Sequence, residues 1–339
     1  MSSPIKTAAR PITIHDIAAE AGVSKSTVSL VLQGSDLIRQ EKADRVREAA
    51  HKLGYVYNQR AADLRRKTSN AIGVVINDLM NPFFAEVLVG LERKLVDAGY
   101  TVLMAHTSED LERQARVLQT MREQNVAGIA LCPVLDTPAS LTSTVQSWGI
   151  PLVVMIRTLG DGAYDFAGSD NALGVQQAVK HLIKVGHRRI GFLGGRSGPV
   201  LEQRLQGYQT ALAEAGIAFE PDLVFTANPT RAGGHESMLA LLDQPTPIKA
   251  AVCYNDLVAF GALSALGERG LHAGNDFALM GFDNVLDAAH SNPPLSTVDI
   301  RPSELGETAG VLLLARIEDP KIGVQVHRTV PGLMLRQSA

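Results

Sequence analysis

The sequence predicts an α/β chain in two parts: a small all-α unit of helix-turn-helix type, then a two-lobed body of doubly wound parallel sheets. Three observations predict it. Before residue 55 the apolar positions keep helical spacing and glycines end each run. From Ala71 onward, apolar runs of strand length alternate with amphipathic runs of helix length. Near Arg189 that alternation begins a second time.

The first helix opens at Thr13, a capping residue with Asp16 three positions on, and carries Ile14, Ile17, Ala18 and Ala21 on one face before Gly22 breaks it. Ser24 can cap a second helix that runs to about Gln33. A third carries Val46, Ala49, Ala50 and Leu53 and stops at Gly54. In the body, strands are expected at 71–76, 101–105, 128–131 and 152–156, with helices near 82–98, 111–124 and 139–148. The second series has strands near 189–193, 223–226, 250–254 and 277–280, and helices near 171–185, 200–215, 234–242 and 257–268. Ligands of such sheets sit beyond the carboxyl ends of the strands, and a cleft between two lobes sets two such rims face to face.

With 339 residues, 45% of them hydrophobic and 20% charged, the chain can bury a large core and lies far from disordered compositions. The net charge of −3 hides an asymmetry: residues 1–70 carry 12 Lys/Arg against 7 Asp/Glu, and the remainder 20 against 28. A small basic unit joined to a large acidic one implies that only the first meets phosphate. The N-terminus has no continuous apolar segment and no run of 18 uncharged apolar residues occurs, so a cytoplasmic protein with no membrane partner is expected. Cys132 and Cys253 lie in the strand-like runs GIALC and AAVCY and read as buried thiols. No cofactor, metal site or catalytic set is expected, because Gly191, Gly194 and Gly195 do not give the dinucleotide-loop spacing and the nine histidines show no ligand pattern.

On a helical wheel of the second helix, Val28, Val31 and Leu32 share a face, which leaves Ser26, Ser29, Leu30 and Gln33 pointing away. Short hydroxyls, an amide and an outward leucine suit base edges and a thymine methyl in a major groove, although the residues alone equally describe a solvated helix with one stray leucine. The segment 58–67, NQRAADLRRK, reads either as a flexible basic linker or as a short helix with Leu64 as an apolar wedge among cations.

The runs PITIHDIAAEAGVSKSTVSLVLQG and KADRVREAAHKLGYVYNQRAADLRRKTSNAIGVVI resemble the lactose-repressor (LacI/GalR) family of bacterial transcription regulators. The likeness continues through DLMNPFFAEV, GIPLVVMIRT, GHRRIGFLGG, RLQGYQTALAEAGI, YNDLVAFGAL, MGFDN and PPLSTV, over about residues 11–336. Leu30 and the N-terminal run are most similar to the maltose-regulator branch. The resemblance implies a sequence-specific DNA-binding regulator, a repressor, controlled by a sugar, sugar acid or sugar phosphate held in a periplasmic-binding-protein-like body. It implies DNA contacts from Thr13, Ser24, Lys25, Ser26, Thr27, Ser29, Leu30 and Gln33, and from a hinge helix through Asn58, Ala61 and Leu64. The partners it implies are double-stranded DNA with a pseudo-palindromic operator and a second copy of the chain. The domains expected are 1–57 for DNA binding, 58–69 for the hinge, and 70–339 for the body. Within the body, one lobe takes 70–167 and 300–320, and the other 168–299 and 321–339.

For the effector, the resemblance points to Asn81, Phe83, Phe84, Arg157, Arg204, Asn255 and Asp283, which fall at expected strand ends or helix starts. One phenylalanine ring is expected in the cleft and the other to be partly structural. Four departures stand out. Leu30 replaces an arginine that reads guanine, Arg39 a serine that caps the third helix, Tyr57 a proline before the hinge, and Ile156 an aspartate beside Arg157. Pro229 also stands near where some members place a ring against the ligand. Two arginines without the aspartate lean toward an acidic effector. After the run VPGLML only Arg336 to Ala339 follow, which leaves no heptad helix and leads to the expectation of a homodimer. The rivals are a transport-type sugar-binding protein, which needs an export signal and no basic unit, and an enzyme, which needs a catalytic set.

Overall fold

A computed structural model describes residues 10, 12–32, 35, 37–55, 69–160 and 162–339 of the chain. Contacts divide it into two units, Met1–Thr68 and Ser69–Ala339.

Among the described residues, the first unit is three helices around one small core. α1 (Ile14–Ala21) starts at Thr13, whose N–H and hydroxyl both donate to the Asp16 carboxylate at 2.8 and 2.7 Å. That bonding holds the Asp16 carboxyl below its usual range. Gly22 ends the helix at φ 63°, a left-handed conformation that glycine adopts without penalty. α2 (Lys25–Leu32) is capped by the Ser24 hydroxyl, which accepts from the Thr27 N–H at 3.2 Å. α3 (Gln40–Lys52) starts at Arg39 with no side-chain cap, as the loss of the serine implies. Ile17, Val28, Val31, Val46 and Ala49 are buried at the junction of the three helices.

The body alternates strands and helices through both lobes. The elements are β1 (Ala71–Ile76), α4 (Pro82–Asp97), β2 (Thr101–His106), α5 (Leu111–Glu123), β3 (Gly128–Leu131), α6 (Ser140–Ser147), β4 (Leu152–Met155) and β5 (Asp165–Ser169). Then come α7 (Asn171–Lys184), β6 (Gly191–Leu193), α8 (Pro199–Glu214), β7 (Val224–Phe225), α9 (Arg231–Leu242), β8 (Ala250–Cys253) and α10 (Asp256–Glu268). The chain closes with β9 (Ala278–Asp283), β10 (Ser296–Asp299), α11 (Pro302–Glu318), β11 (Val326–Thr329) and β12 (Gly332–Met334). The first sheet has the order β11-β5-β4-β3-β1-β2 and the second β12-β10-β9-β8-β6-β7. All pairings are parallel except β10 with β12. Strands such as β3, β4 and β8 are buried at every residue, as sheets covered on both faces require.

Two expectations are corrected. Residues 321–339 do not belong to one lobe: β11 pairs with β5 in the first sheet, and only β12 returns to the second. The chain therefore crosses between lobes after β5, after β10 and again between Thr329 and Gly332. The strand β5 and the helix α11 were not anticipated as elements. In DFAGS the signal fails because Asp165, 1% exposed at its side chain, is buried by pairing with Arg316 rather than by being apolar. α11 packs on α4 at a very close approach, where a Cβ on Gly90 would meet the Ser303 carbonyl oxygen at 2.0 Å.

Candidate functional site

In the first unit, the outward face of α2 carries the residues expected to meet DNA. Ser24, Lys25 and Ser26 are exposed, while Thr27, Ser29 and Leu30 are half-buried. Val28 and Val31 are buried, and Leu32 packs beside them. Leu30 is half-buried and does not belong to that core cluster. The Ser24 hydroxyl sits 2.8 Å from that of Ser26 and 2.9 Å from that of Thr27, which presents three hydroxyls at the start of the helix. A helix N-terminus with hydroxyls and Lys25 suits a phosphate oxygen. Thr13 holds the entry to α1 through Asp16. Gln33, Tyr57, Asn58, Ala61 and Leu64 lie outside the described residues.

In the body, one cavity of about 280 Å³ lies between the lobes. It is lined by residues that end or follow strands of both sheets: Asn77 and Asp78 after β1, Glu109 after β2, Ile156 and Arg157 after β4, Ser169 at the end of β5, Arg196 after β6, Asn228 after β7, Tyr254 and Asn255 after β8, and Asp283 at the end of β9. Asn81, Phe83, Phe84, Arg157, Arg204, Asn255 and Asp283, singled out in the sequence, all line this one cavity.

Several of them do structural work as well. Asn81 caps α4, accepting from the Phe83 N–H at 3.1 Å, and Asn255 caps α10, accepting from the Val258 N–H at 2.9 Å. Phe83 and Phe84 meet edge to face at 5.1 Å, and both are buried core residues whose rings also line the cavity. Both rings are partly structural, since the start of α4 forms core and cavity wall together.

Arg204, buried on α8, lies with its guanidinium carbon 3.7 Å from the centre of the Phe282 ring and 4.5 Å from that of Tyr254. It donates to the Asn171 amide oxygen at 3.1 Å and to the Tyr254 carbonyl, and stands 3.7 Å from the Asp283 carboxylate. Burial pushes the Arg204 pKa down against the pull of these partners. Burial likewise raises Asp283 to about 7, even though Arg204 and the Asn81 side chain from the opposite lobe draw it down. Beneath it, Asp256 is fully buried, receives the Thr297 hydroxyl at 2.6 Å and the Val285 N–H at 2.9 Å, and is held well above the carboxylate range by burial and by Asp283.

Arg157 has a different partner. Its guanidinium meets Glu109 at 2.7 and 2.9 Å and donates to the Pro133 carbonyl at 3.1 Å. Burial raises the Glu109 pKa, but the bonds from Arg157, Asn77 and the Leu135 N–H outweigh it and leave the carboxyl below its usual value. Both arginines already have carboxyl partners, Glu109 for Arg157 and Asp283 for Arg204, which weighs against the leaning toward an acidic effector. Three acidic lining residues, Asp78, Glu109 and Asp283, stand against three basic ones, Arg157, Arg196 and Arg204.

The sequence reading passed over Asn77, Glu109, Ser169, Asn171, Arg196, Asn228 and Tyr254. The rule of the carboxyl rim would have reached Glu109, Arg196 and Asn228 if applied after every expected strand; Ser169 and Asn171 escaped because β5 was not expected. Cys132 and Cys253 are buried free thiols, with burial pushing Cys132 to about 12. Among the described residues no cluster of three metal-ligating side chains occurs, and no helix is long and apolar enough to cross a membrane.

Comparison with known proteins gives two family matches: bacterial regulatory proteins, lacI family, over residues 13–58, and a periplasmic binding protein-like domain over residues 179–339. The ribose operon repressor of Haemophilus influenzae is 34% identical, with 96% of this chain and 98% of that protein covered. The maltose regulon regulatory protein MalI of Escherichia coli is 32% identical over 91% and 93%, so the branch suggested by Leu30 is present among relatives without exceeding them. Among solved structures, a CelR transcriptional regulator in complex with cellobiose is 29% identical, with a TM-score of 0.75 and 97% of this chain and 100% of that one covered. These relatives are transcriptional regulators rather than enzymes.

Proposed function

The chain belongs to the lacI family of bacterial regulatory proteins, and we propose that it is a cytoplasmic homodimeric repressor without catalytic activity whose operator grip is set by a neutral, hydroxyl-rich small molecule between the lobes. One observation carries the ligand reading: seven residues drawn from five separate stretches of sequence converge on a single cavity whose two buried arginines each stand beside a carboxyl group. Buried, paired ions offer fixed hydrogen-bonding groups to hydroxyls without a net field to hold an anion. The CelR complex, with its cellobiose, supports a carbohydrate of this kind.

On the DNA side, Ser24 to Leu30 of α2 read the major groove, and Leu64 in the hinge acts as the minor-groove wedge, together with Asn58 and Ala61. A hinge of about ten residues is too short to hold as a lone helix, so two copies support one another over a pseudo-palindromic operator. The effector bridges the lobes, which the cavity lining favours because Asn81 of one lobe and Asp283 of the other face the same space. A shift in lobe closure then changes the placement of the paired DNA-binding units.

The test is direct. Operator sequences are selected from random duplex DNA with the full chain, and fluorescence anisotropy follows release during titration with D-ribose, cellobiose and related neutral sugars. Selection should yield a palindromic consensus, and at least one sugar should change its affinity. Failure to enrich any consensus sinks the regulator reading, and a response confined to anionic sugars sinks the neutral-effector reading.

A further inference from the structure

The loop after β2 ends in three polar residues with separate tasks. Asp110 caps α5, accepting from the Arg113 N–H at 2.8 Å, so the adjacent Glu109 is not needed to start the helix. Ser108 and Glu109 both have positive φ, 56° and 58°, in a region that neither residue type favours, and this turn leaves Glu109 on the cavity wall. Its carboxylate gathers donors from three other stretches of the same lobe: both terminal nitrogens of Arg157 at 2.7 and 2.9 Å, the Leu135 N–H at 3.0 Å, and the Asn77 amide.

Four donors fill a carboxylate, which has about four acceptor positions. Glu109 therefore has nothing left to offer a ligand, and acts through Arg157. The Arg157 side chain is 12% exposed and that of Glu109 35%, so the pair sits at the edge of solvent with the guanidinium further in. A ligand entering the cavity meets a cation whose charge is cancelled by the residue beside it.

We propose that Glu109 is a positioning and specificity-determining residue: as the built-in counter-ion of Arg157, it makes the cavity select neutral ligands over anions. The inference rests on the cavity being the effector site. Removing the negative charge while keeping the side chain's shape leaves Arg157 as an uncompensated, mostly buried guanidinium, which favours a carboxylate or phosphate as its new partner.

The experiment uses the full chain and two anionic probes, D-gluconate and inorganic phosphate, with binding followed by calorimetry. Glu109→Gln should bind at least one anion tenfold or more tightly than the parent chain. Glu109→Asp should stay close to the parent because the charge is kept. The double variant Glu109→Gln/Arg157→Gln should lose the gain, which a merely structural role for Glu109 would not predict. If Glu109→Gln does not fold, Glu109→Ala carries the same comparison.

Anion affinity within threefold of the parent in the folded single variant, including no measurable binding to either, overturns the proposal. So does a gain that survives in the double variant. These outcomes separate from the fate of the effector reading. If the anion gain appears but no small molecule alters operator binding, the charge assignment stands and the effector reading fails; if a neutral sugar releases operator while the gain is missing, only the counter-ion role fails.

Discussion

The two units of this chain use charge in opposite ways. The first places an excess of cations and short hydroxyls on its outside, with Lys25 and the start of α2 exposed and a core of small residues behind them. The body buries two arginines in its cavity, each beside a carboxyl group: Arg157 with Glu109, and Arg204 with Asp283. The difference teaches which partner each can hold. An exposed surface with a net excess of cations attracts any polyanion and is screened by salt; buried, paired arginines are less sensitive to salt and discriminate by shape and hydrogen bonding.

The largest effect should come from separating the two. A fragment of residues 69–339 should show no measurable DNA binding yet keep the ligand affinity of the full chain. Raising salt from 50 to 200 mM should weaken operator binding of the intact protein on the order of 10³-fold, by counterion release, and change ligand affinity by less than about twofold. Sequence-specific DNA binding by the fragment, or a steep salt dependence of ligand binding, would break the contrast.

Next in size is Arg204→Ala. It removes a stacked guanidinium from between Phe282 and Tyr254 and leaves Asp283 and Asp256 facing each other without a cation. Breaking a buried pair in this way costs about 3–5 kcal/mol, so a lower melting temperature and loss of the effector response are expected, while operator affinity below the melting range stays close to that of the parent. If calorimetry finds ligand affinity unchanged, the cavity is not the effector site.

A smaller effect is expected at the hinge. Leu64→Ala should weaken operator binding by about tenfold and random-sequence binding by much less, because a wedge stabilises a kink only at a suitable base step whereas the neighbouring arginines attract any duplex. Equal losses on both kinds of DNA would remove the wedge from the account.

How much of this was legible in the sequence follows from the same contrast. Helices α1 and α3 were readable from spacing and glycine stops because their cores are made of apolar residues alone. The strands β1, β3, β4 and β8 were readable as continuous apolar runs. What escaped was set by pairing: β5 is held in place by Asp165 and Arg316, and β11 and β12 are edge strands whose alternation between sheets no local pattern encodes. In the site, arginines were visible as types, but their partners were not. Glu109 stands 48 residues from Arg157, and only the fold brings them to 2.7 Å. The acidic-effector expectation counted the arginines without their partners, whereas net field depends on neighbours in space.

The smallest predicted effect concerns protons, and it sharpens the contrast because an exposed carboxylate would not produce it. Asp283 is raised to about 7 by burial, against an unfolded value near ~3.9. Between those values the folded chain holds a proton that the unfolded chain has released, so stability falls as pH rises through that window and levels off above it. Other groups tilt the curve the opposite way: His181 and His187 are lowered by burial, and Glu109 is lowered by its donors. The difference between parent and Asp283→Asn isolates the one group, because asparagine mimics the protonated acid at every pH. The variant should melt a few degrees above the parent already at pH 5, where the unfolded carboxyl has released its proton, and the gap should widen by several more degrees by pH 8, with each kcal/mol worth roughly 2–4 °C in a domain of this size or somewhat smaller. A difference that is constant from pH 5 to 8 would mean that Asp283 is ionised throughout and that Arg204 compensates it fully despite its burial.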